Sequence, residues 1–383
     1  MEGDFIKIND WLLPLSWIYG AGVRLRNQMF EMGMLKSRSF DIPVISVGNI
    51  TVGGSGKTPH VEYLINLLRD KVKVAVLSRG YKRKSKGYML AIADTPMSDI
   101  GDEPYQMKKK FADIYVAVDK DRCHGIDQLT ANEETSDTDV ILLDDAYQHR
   151  YVKPGVNILL VDYHRLIMYD KLLPAGRLRE PQKGKARADI VIVSKCPAEL
   201  KPMEFRVITK AMNLFPYQKL YFTTLKYGSL RPIYGGEDRK LDTLTGDTSI
   251  LLLTGIASPQ QMIVDLKPYT ERITPLTFPD HHQYTDADID RINAEFEAMK
   301  GNDKMIVTTE KDNARLCGME GLSDEVKKNI YVLPVEVGFM LDQEEDFNEN
   351  IIGYVRKNSR NSILAKAKDD NKSENSNNPG NRP

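Results

Sequence analysis

The chain has 383 residues and carries 53 Lys and Arg against 54 Asp and Glu, which gives a formal net charge of −1. This length predicts roughly two domains, and a hydrophobic fraction of 41% is typical of a globular protein. A net charge near zero excludes a protein that coats nucleic acid by bulk electrostatics. The three cysteines, Cys123, Cys196 and Cys317, are far apart and indicate reduced thiols in a cytosolic compartment.

An apolar segment at residues 11–23 holds both tryptophans of the chain. It is shorter than the roughly 18 residues that a membrane-spanning helix needs, and a proline and two glycines interrupt it. The acidic start of the chain argues against a secretory signal peptide. The segment either lies in a bilayer interface or packs as a helix on its own domain. Basic residues that suit the first interpretation follow it, namely Arg24, Arg26, Lys36 and Arg38.

Apolar runs of strand length then alternate with helical patterns up to residue 225. Most of these runs are continuous, as expected for strands buried on both faces of a parallel sheet. Apolar residues at i, i+3, i+4 and i+7 from Val61 predict an amphipathic helix over 58–70. The predicted fold is therefore α/β. Its strands are 43–47, 73–77, 114–118, 140–143, 156–161 and 190–193.

A second block begins near residue 220, with a strand at 220–225 and a linker at 228–236. Further strands are predicted at 250–253, 305–308 and 330–333, and helices near 286–300 and 312–317. The chain thus divides into an N-terminal helical segment, a core, a smaller α/β domain with its linker, and a polar tail that is expected to be disordered. The predicted bounds are 1–40, 41–220, 221–358 and 359–383.

Residues 44–64 (VISVGNITVGGSGKTPHVEYL) carry the strongest chemical signal. A buried strand, a glycine-rich turn, Lys57, Thr58 and a helix follow one another, as in a P-loop that cradles phosphates and places a hydroxyl on Mg²⁺. The pattern GxxxxGK[ST] usually begins with glycine, whereas Thr51 stands here. The core is therefore predicted to be a P-loop NTPase-like, mostly parallel sheet. The predicted nucleotide-binding residues are Thr51, Val52, Gly53, Gly54, Ser55, Gly56, Lys57 and Thr58.

Two carboxylates, Asp144 and Asp145, end the apolar strand that begins at Val140. Acids at the carboxyl end of a buried strand downstream of a P-loop form a Walker B arrangement, and that edge of an open α/β sheet is where ligands bind. Asp144 is expected to hold Mg²⁺, directly or through water. Asp145, Gln148 or His149 is expected to contact metal or substrate.

Two weaker motifs offer acid–base chemistry. The string Gly101-Asp102-Glu103-Pro104 predicts a rigid exposed turn, which is also typical of ordinary solvated surface. The string FPDHHQY places two adjacent histidines between an Asp and a Tyr, which is also compatible with a capped loop. Phosphoryl transfer to an alcohol needs a base near the hydroxyl, and an Asp polarised by a His would serve.

Charge is unevenly distributed along the chain. Basic residues dominate 79–93 and 171–187, whereas residues 342–349 hold five acids and no base. Such runs are typical of solvated faces. Because both basic stretches follow strands of the predicted P-loop sheet, they also suit an anionic substrate or an anionic membrane surface.

Together the motifs resemble the tetraacyldisaccharide 4'-kinase family of the lipid A pathway. One departure is Ala146-Tyr147, where the family more commonly has Gly-Phe. The resemblance implies a P-loop core and a smaller domain with substrate between them. It also implies that ATP and Mg²⁺ are used to phosphorylate the 4'-hydroxyl of tetraacyldisaccharide 1-phosphate. The strings that carry it are SVGNITVGGSGKTP, LSRGYKR, GDEPYQM, VDKDR, LLDDAYQHR, LLPAGRLREP, VSKCP, FPDHHQY and TTEKD.

The resemblance also implies roles for individual residues. Asp102 matches the proposed general base and His281 its partner, with the adjacent His282 as a rival. Lys57 matches a catalytic residue at the phosphates, and the matching metal ligands are Thr58, Asp144 and Asp145. Residues that match positions around phosphates, metal or sugar are Tyr81, Arg122, Gln148, His149, Arg179 and Glu180.

A lipid substrate favours the interfacial interpretation of residues 11–23 and gives the basic stretches anionic partners. The resemblance thus implies a monomeric, peripheral protein at the cytoplasmic face of the inner membrane, with no nucleic-acid partner.

Two other functions fit the sequence less well. A membrane-surface ATPase of the KGGxGK[ST] type needs a lysine where Val52 stands, and a GTPase needs an NKxD string that the sequence lacks. A soluble kinase for a small sugar fits the apolar N-terminal segment poorly.

Overall fold

The computed structural model describes residues 8–256, 259–280, 282–316 and 319–359. The strands in these ranges are β1 (Val44–Gly48), β2 (Val74–Ser78), β3 (Met89–Leu90), β4 (Tyr115–Val118), β5 (Val140–Asp144), β6 (Val156–Asp162), β7 (Ile190–Ser194), β8 (Lys219–Tyr227), β9 (Arg231–Pro232), β10 (Ser249–Thr254), β11 (Ile273–Thr277), β12 (Lys304–Thr308), β13 (Ile330–Val332) and β14 (Val335–Phe339). The α-helices are α1 (Leu13–Glu31), α2 (Lys57–Leu68), α3 (Met97–Ile100), α4 (Asp102–Lys110), α5 (Arg122–Ala131), α6 (Pro202–Met212), α7 (Gln260–Leu266), α8 (Asp286–Ala298), α9 (Glu310–Leu316), α10 (Asp324–Asn329) and α11 (Glu344–Asn358).

Nine strands form one large sheet in the order β14-β8-β7-β6-β1-β5-β2-β4-β3. Pairing is parallel from β8 to β4, and β14 and β3 add antiparallel edges. The central strands are buried on both faces because helices or loops cover each side, which explains their continuous apolar sequences. Parallel strands end at one edge, so the turns that follow β1 and β5 meet there. The predicted α/β fold is confirmed.

A smaller sheet has the order β11-β10-β12-β13-β9 and is parallel except for the short strand β9. Helix α8 covers it through Ile289, Ile292 and Phe296, which are buried against Leu251 and Leu253 of β10. The predicted strands and helices of this block are present, with their ends shifted by a few residues.

Sheet membership differs from the sequence-based division in one respect. Strand β8 pairs with β7, and β14 pairs with β8, so both belong to the large sheet although they lie beyond residue 218. The acidic run at 342–349 was expected to be a solvated face, and its five acids are indeed exposed. Three of them lie in the first turn of α11, where acids favour a helix N-terminus. Phe347 and Ile351 of that helix join the core of the large sheet. We propose that the core domain includes residues 219–227 and 335–358.

Helix α1 lies against residues 171–179 of the core. Ser16 donates a hydrogen bond to the carbonyl of Leu172 at 3.0 Å, and Tyr19 donates one to the carbonyl of Arg179 at 2.7 Å. The other side of the helix region is open to solvent, with Trp11 93% and Trp17 71% exposed. Within the described ranges, we find no helix long and apolar enough to cross a membrane.

Three predicted features fall outside the described residues. These are His281, Cys317 and, apart from Ser359, the polar tail at 359–383.

Candidate active site

The turn between β1 and α2 has the geometry of a phosphate-binding loop. Gly56 adopts a left-handed conformation (φ 78°) immediately before α2 begins at Lys57, which glycine does without strain. Ser55 is buried and accepts a hydrogen bond from Asn49 at 2.8 Å, while Thr58 is buried in the first helical turn. The first N–H groups of α2 have no intrahelical partner, so this end of the helix favours an anion.

A second segment braces the loop from the side. The N–H of Val52 donates to the carbonyl of Arg177 at 2.8 Å, and the N–H of Arg179 donates to the carbonyl of Ile50 at 2.7 Å. These bonds tie the loop to the basic stretch at 171–187. The backbone of Arg179 is therefore held at a fixed position beside the phosphate-binding loop.

Two further side chains, His60 and Lys195, hold the loop, and the sequence analysis did not select either of them. The ring of His60 lies between the Gly56 carbonyl (2.7 Å) and the Thr223 hydroxyl (3.0 Å). Burial lowers the pKa of His60 to about 4, so the ring is neutral at pH 7. Lys195, which follows β7, donates to the carbonyl of Gly54. These contacts tie the glycine-rich turn to β8 and to the end of β7.

Asp144 ends β5 and is almost completely buried. Ser78, at the end of the neighbouring strand β2, donates a hydrogen bond to its carboxylate at 3.2 Å. Burial raises the pKa of Asp144 to about 6, and the negative charges of Glu103 and Asp145 add to the effect. The carboxylate of Asp144 thus lies close to two other negative charges. A divalent cation bound by its oxygen would offset this repulsion.

Asp145 has a different environment although it is the next residue. Its backbone is left-handed (φ 47°), which turns the side chain towards the P-loop. The ammonium of Lys57 lies 3.4 Å from its carboxylate, and the guanidinium of Arg179 also lies at 3.4 Å. Burial alone would raise the pKa of Asp145, but these two cations outweigh it and leave the pKa lowered. Asp145 is thus an ionised anchor for two cationic side chains.

Gln148 and Glu180 complete this network. The amide of Gln148 donates to the carbonyl of Asn49 at 2.5 Å and to Glu180 at 3.2 Å. Glu180 is buried and also accepts from Arg187 at 2.9 Å. The structure therefore brings together Lys57, Asp145, Gln148, Arg179 and Glu180, which the sequence analysis selected as site residues.

Arg122 begins α5 and is 3% exposed. Burial lowers its pKa to about 10, while Asp144 and Asp145 oppose the shift. His149 lies near it, and burial together with Arg122 lowers the pKa of His149 to about 4. Asp121, Cys123 and His149 have potential metal-ligand atoms within 4.8 Å of one another. The positive charge of Arg122 opposes a cation there.

Asp102 is placed differently from the exposed turn that the sequence predicted. It begins α4 and is 8% exposed, because Gly101 takes a φ of 91° that allows the chain to turn directly into the helix. Pro104 fits the first turn of α4, where a backbone N–H has no helical partner. Arg315 of α9 donates two hydrogen bonds to Asp102, at 2.9 and 2.6 Å. Sequence reasoning missed Arg315, since only the tertiary fold brings it to Asp102.

The predicted histidine partner of Asp102 remains open. His281 lies outside the described residues, so its pairing with Asp102 stays a prediction. The rival, His282, is hydrogen bonded to Asp288 at 2.9 Å and stacks on Phe278.

Tyr81, another predicted site residue, is 54% exposed in the loop after β2.

A phosphate-binding loop, a buried strand-end carboxylate and cations around them, all at the carboxyl edge of a parallel sheet, define a P-loop kinase. The model of the tetraacyldisaccharide-1-P 4'-kinase family, LpxK, matches residues 8–356. The chain belongs to this family, and the resemblance drawn from its motifs is confirmed.

Individual relatives agree with this assignment. The chain is 61% identical to the tetraacyldisaccharide 4'-kinase of Phocaeicola vulgatus over 94% of its length and 99% of the relative's. It is 54% identical to that of Bacteroides fragilis, over 97% of this chain and all of the relative. Among solved structures, LpxK from Aquifex aeolicus in complex with ATP is 31% identical and superposes with a TM-score of 0.68. The match covers 90% of this chain and 98% of that one.

Proposed function

We propose that this protein transfers the γ-phosphoryl group of ATP to the 4'-hydroxyl of a tetraacyldisaccharide 1-phosphate. The observation that carries the proposal is the meeting of Lys57, Asp144 and Asp145 at the sheet edge that the start of α4 also approaches. The approach is visible in the charge of Glu103, next to Asp102, which helps raise the pKa of Asp144. A base and a phosphate site thus lie on one side of the molecule.

The side chains divide the work by charge. Thr58 and Asp144 would hold Mg²⁺, which neutralises charge on the β- and γ-phosphates when it is bound. Lys57 and Arg179 stabilise the negative charge on the phosphoryl group in the transition state of its transfer. Asp102 accepts the proton of the 4'-hydroxyl. The hydroxyl oxygen then bonds to the γ-phosphorus, while the bond from that phosphorus to the β–γ bridging oxygen breaks and ADP leaves.

Helix α1 is proposed to dock the protein, as a monomer, on the cytoplasmic face of the inner membrane. Trp17 and Ile18 of α1 are exposed, as is Trp11 in the turn just before it, and large apolar side chains of this kind insert into the interfacial layer of a bilayer. A cavity of about 310 Å³ lies between α1 and the site, lined by Tyr19, Arg26, Gln148 and Arg179 among others. A lipid headgroup at the membrane would therefore reach the phosphate site without leaving the interface.

The decisive experiment is ATP-dependent phosphorylation of tetraacyldisaccharide 1-phosphate in mixed micelles, with the product located at the 4' position by mass spectrometry. The expected result is one added phosphate on the 4' oxygen and stoichiometric ADP. ATP hydrolysis without transfer to the lipid would instead support a nucleotide-dependent switch at the membrane surface.

A further inference from the structure

Helices α4 and α9 belong to different sheets and face each other with opposite charges. In the chain, helix α4 comes after β3 and before β4, which are both strands of the large sheet. Helix α9 follows β12 of the small sheet. Helix α4 begins with acids and ends with lysines. Helix α9 begins with Glu310 and has Arg315 in its last turn, so charges of opposite sign meet at both ends of the contact. The ion pairs across this contact are Asp102–Arg315 at 2.6 Å, Glu103–Lys311 at 2.7 Å and Lys110–Glu310 at 2.7 Å.

The pair between Asp102 and Arg315 is the most deeply buried of the three. The side chain of Arg315 is 0% exposed and that of Asp102 is 11% exposed. Nε and Nη2 of Arg315 both donate to the same oxygen, Oδ2 of Asp102. A guanidinium that binds one oxygen through two N–H groups restricts the rotation of the carboxylate.

Arg315 is itself fixed by the small sheet. Its Nη1 donates to Asp312 at 3.1 Å and to the carbonyl of Gly255 at 3.0 Å. Asp312 in turn accepts hydrogen bonds from the N–H of Gly255 and the hydroxyl of Thr309. The direction of the guanidinium is therefore set by residues that do not belong to the large sheet. Burying such a charge costs free energy, so the arrangement adds orientation more than stability.

We propose that Arg315 is a positioning residue for phosphoryl transfer, which holds the Asp102 carboxylate oriented towards the acceptor hydroxyl. The proposal rests on the proposed role of Asp102 as the base. Because Arg315 is anchored in the small sheet, the base is correctly placed only while α4 and α9 are in contact. Base function is thereby tied to the association of the two parts of the enzyme.

Other titratable and charged groups lie around the Asp102–Arg315 pair and act on the same pH profile. Glu103 lies beside Asp102 on α4, and Lys311 and Asp312 lie on α9. Tyr284, ahead of α8, donates to Asp312 at 3.3 Å, and the charge of Asp280 acts on Arg315. None of these groups replaces the two N–H donors of Arg315.

The test compares kcat, the Michaelis constant for ATP and the pH profile of kcat for wild type, Arg315→Met and Arg315→Lys on the lipid substrate. In Arg315→Met we expect kcat to fall by about 10- to 100-fold with the Michaelis constant for ATP unchanged. With Mg²⁺ saturating at every pH, so that protonation of Asp144 does not shape the profile, the acid limb should move to higher pH, since a carboxylate that loses an adjacent cation is protonated more readily. Arg315→Lys should keep the acid limb near its wild-type position but recover only part of kcat, because one ammonium cannot replace the fork.

Two control variants separate positioning from folding. Arg239→Met removes another two-bond Arg–Asp pair of the small-sheet block, to Asp303 at 2.8 and 2.9 Å, and should leave the acid limb in place. Glu310→Gln removes a cross-helix pair remote from Asp102 and should also leave it in place.

An unmoved acid limb in Arg315→Met, or an equal shift in Arg239→Met, would overturn the proposal. If Arg315→Met does not fold, wild-type kcat in Arg315→Lys would do the same. Asp102→Asn is measured alongside these variants. Full turnover in Asp102→Asn would remove the base assignment itself, whereas its loss together with an unmoved limb in Arg315→Met would remove only the role of Arg315.

Discussion

The ammonium of Lys57 lies 3.4 Å from Oδ1 of Asp145, so the P-loop and the Walker B strand end are joined by an ion pair. Arg179 reaches the same carboxylate from the brace beside the loop. Asp145 therefore carries two cations that a triphosphate would attract. We expect a bound nucleotide to compete with Asp145 for both cations. We therefore propose Asp144 rather than Asp145 as the carboxylate that binds the metal directly.

Replacement of Lys57 should impair phosphate handling and transfer together. In Lys57→Met we expect kcat to fall by about 100-fold or more, since a positioned cation at the transferring group stabilises charge in the transition state. Steady-state kinetics with varied ATP check this. Lys71→Met changes an exposed lysine just beyond the same helix and should have no effect. Equal activity of Lys57→Met and wild type would remove Lys57 from the mechanism.

Asp102→Ala should abolish turnover and leave ATP binding nearly intact. It should also destabilise the fold by about 1.5–3 kcal/mol, because the buried guanidinium of Arg315 loses two hydrogen bonds to a carboxylate but keeps Asp312 as an anionic partner. Asp102→Asn keeps an oxygen for Arg315, so we expect the same loss of turnover with a smaller loss of stability. Urea unfolding and calorimetric titration with ATP separate the two effects. Retained turnover in both variants would contradict the role of Asp102.

Affinity for Mg²⁺ should fall as the pH drops through about 6, because the pKa of Asp144 is raised to about 6 and the protonated acid is a poor ligand. The sign follows from the raised pKa, since the carboxylate is charged above it and neutral below. Titration of Mg²⁺ into the ATP complex between pH 5 and pH 8 checks this. In Asp144→Asn the affinity should be lower and should fall less steeply with pH, because only the terminal phosphate of ATP, which also takes up a proton near pH 6, then titrates. A pH dependence as steep as that of wild type would assign the effect to another group.

His60→Leu should destabilise the protein at pH 7 by about 1–3 kcal/mol, since it removes the contacts of the ring with Gly56 and Thr223. The folded-state pKa is depressed from 6.5 to about 4, so the native state resists protonation of the ring. Wild type should lose stability as the pH falls from about 6.5 towards 4, and the variant should lose less over this window. Urea unfolding at several pH values measures both, and parallel curves would contradict the assignment.

Membrane docking should depend on the two tryptophans. Trp11→Ser with Trp17→Ser should reduce partition onto anionic vesicles by at least about 10-fold, since burying one large apolar side chain is worth about 1.5–3 kcal/mol. These substitutions test docking more cleanly than deletion of residues 1–24, which would also remove the contacts of Ser16 and Tyr19 with the core. The control is Phe215→Ser with Tyr217→Ser, an exposed aromatic pair elsewhere. Unchanged vesicle binding of the tryptophan variant would indicate that α1 only packs on its own domain.

Local pattern was sufficient for the elements that carry the phosphate site. The P-loop, the strand ending at Asp144 and the cations near Arg179 are each written in a few consecutive residues, because a glycine turn and a strand end have local causes. The same reasoning misplaced Asp102, whose neighbours predict a solvated turn, and it put β8 in the smaller block. Burial of Asp102 and pairing of β8 depend on residues far away in the chain, which no local pattern contains.

The sequence by itself thus determined the fold class, the nucleotide-binding motifs and the enzyme family, since strand periodicity and loop chemistry are properties of short segments. Only the tertiary structure decided which charges meet. In the fold, Asp145 pairs with Lys57 and Arg179. Asp144 lies near other acids, and its pKa is raised. Arg315, next to the small sheet, pairs with Asp102. Electrostatic interactions depend on distance and burial in space rather than on separation along the chain. For that reason the motifs were sufficient to identify the site, but they did not show which charged side chains pair with one another in it.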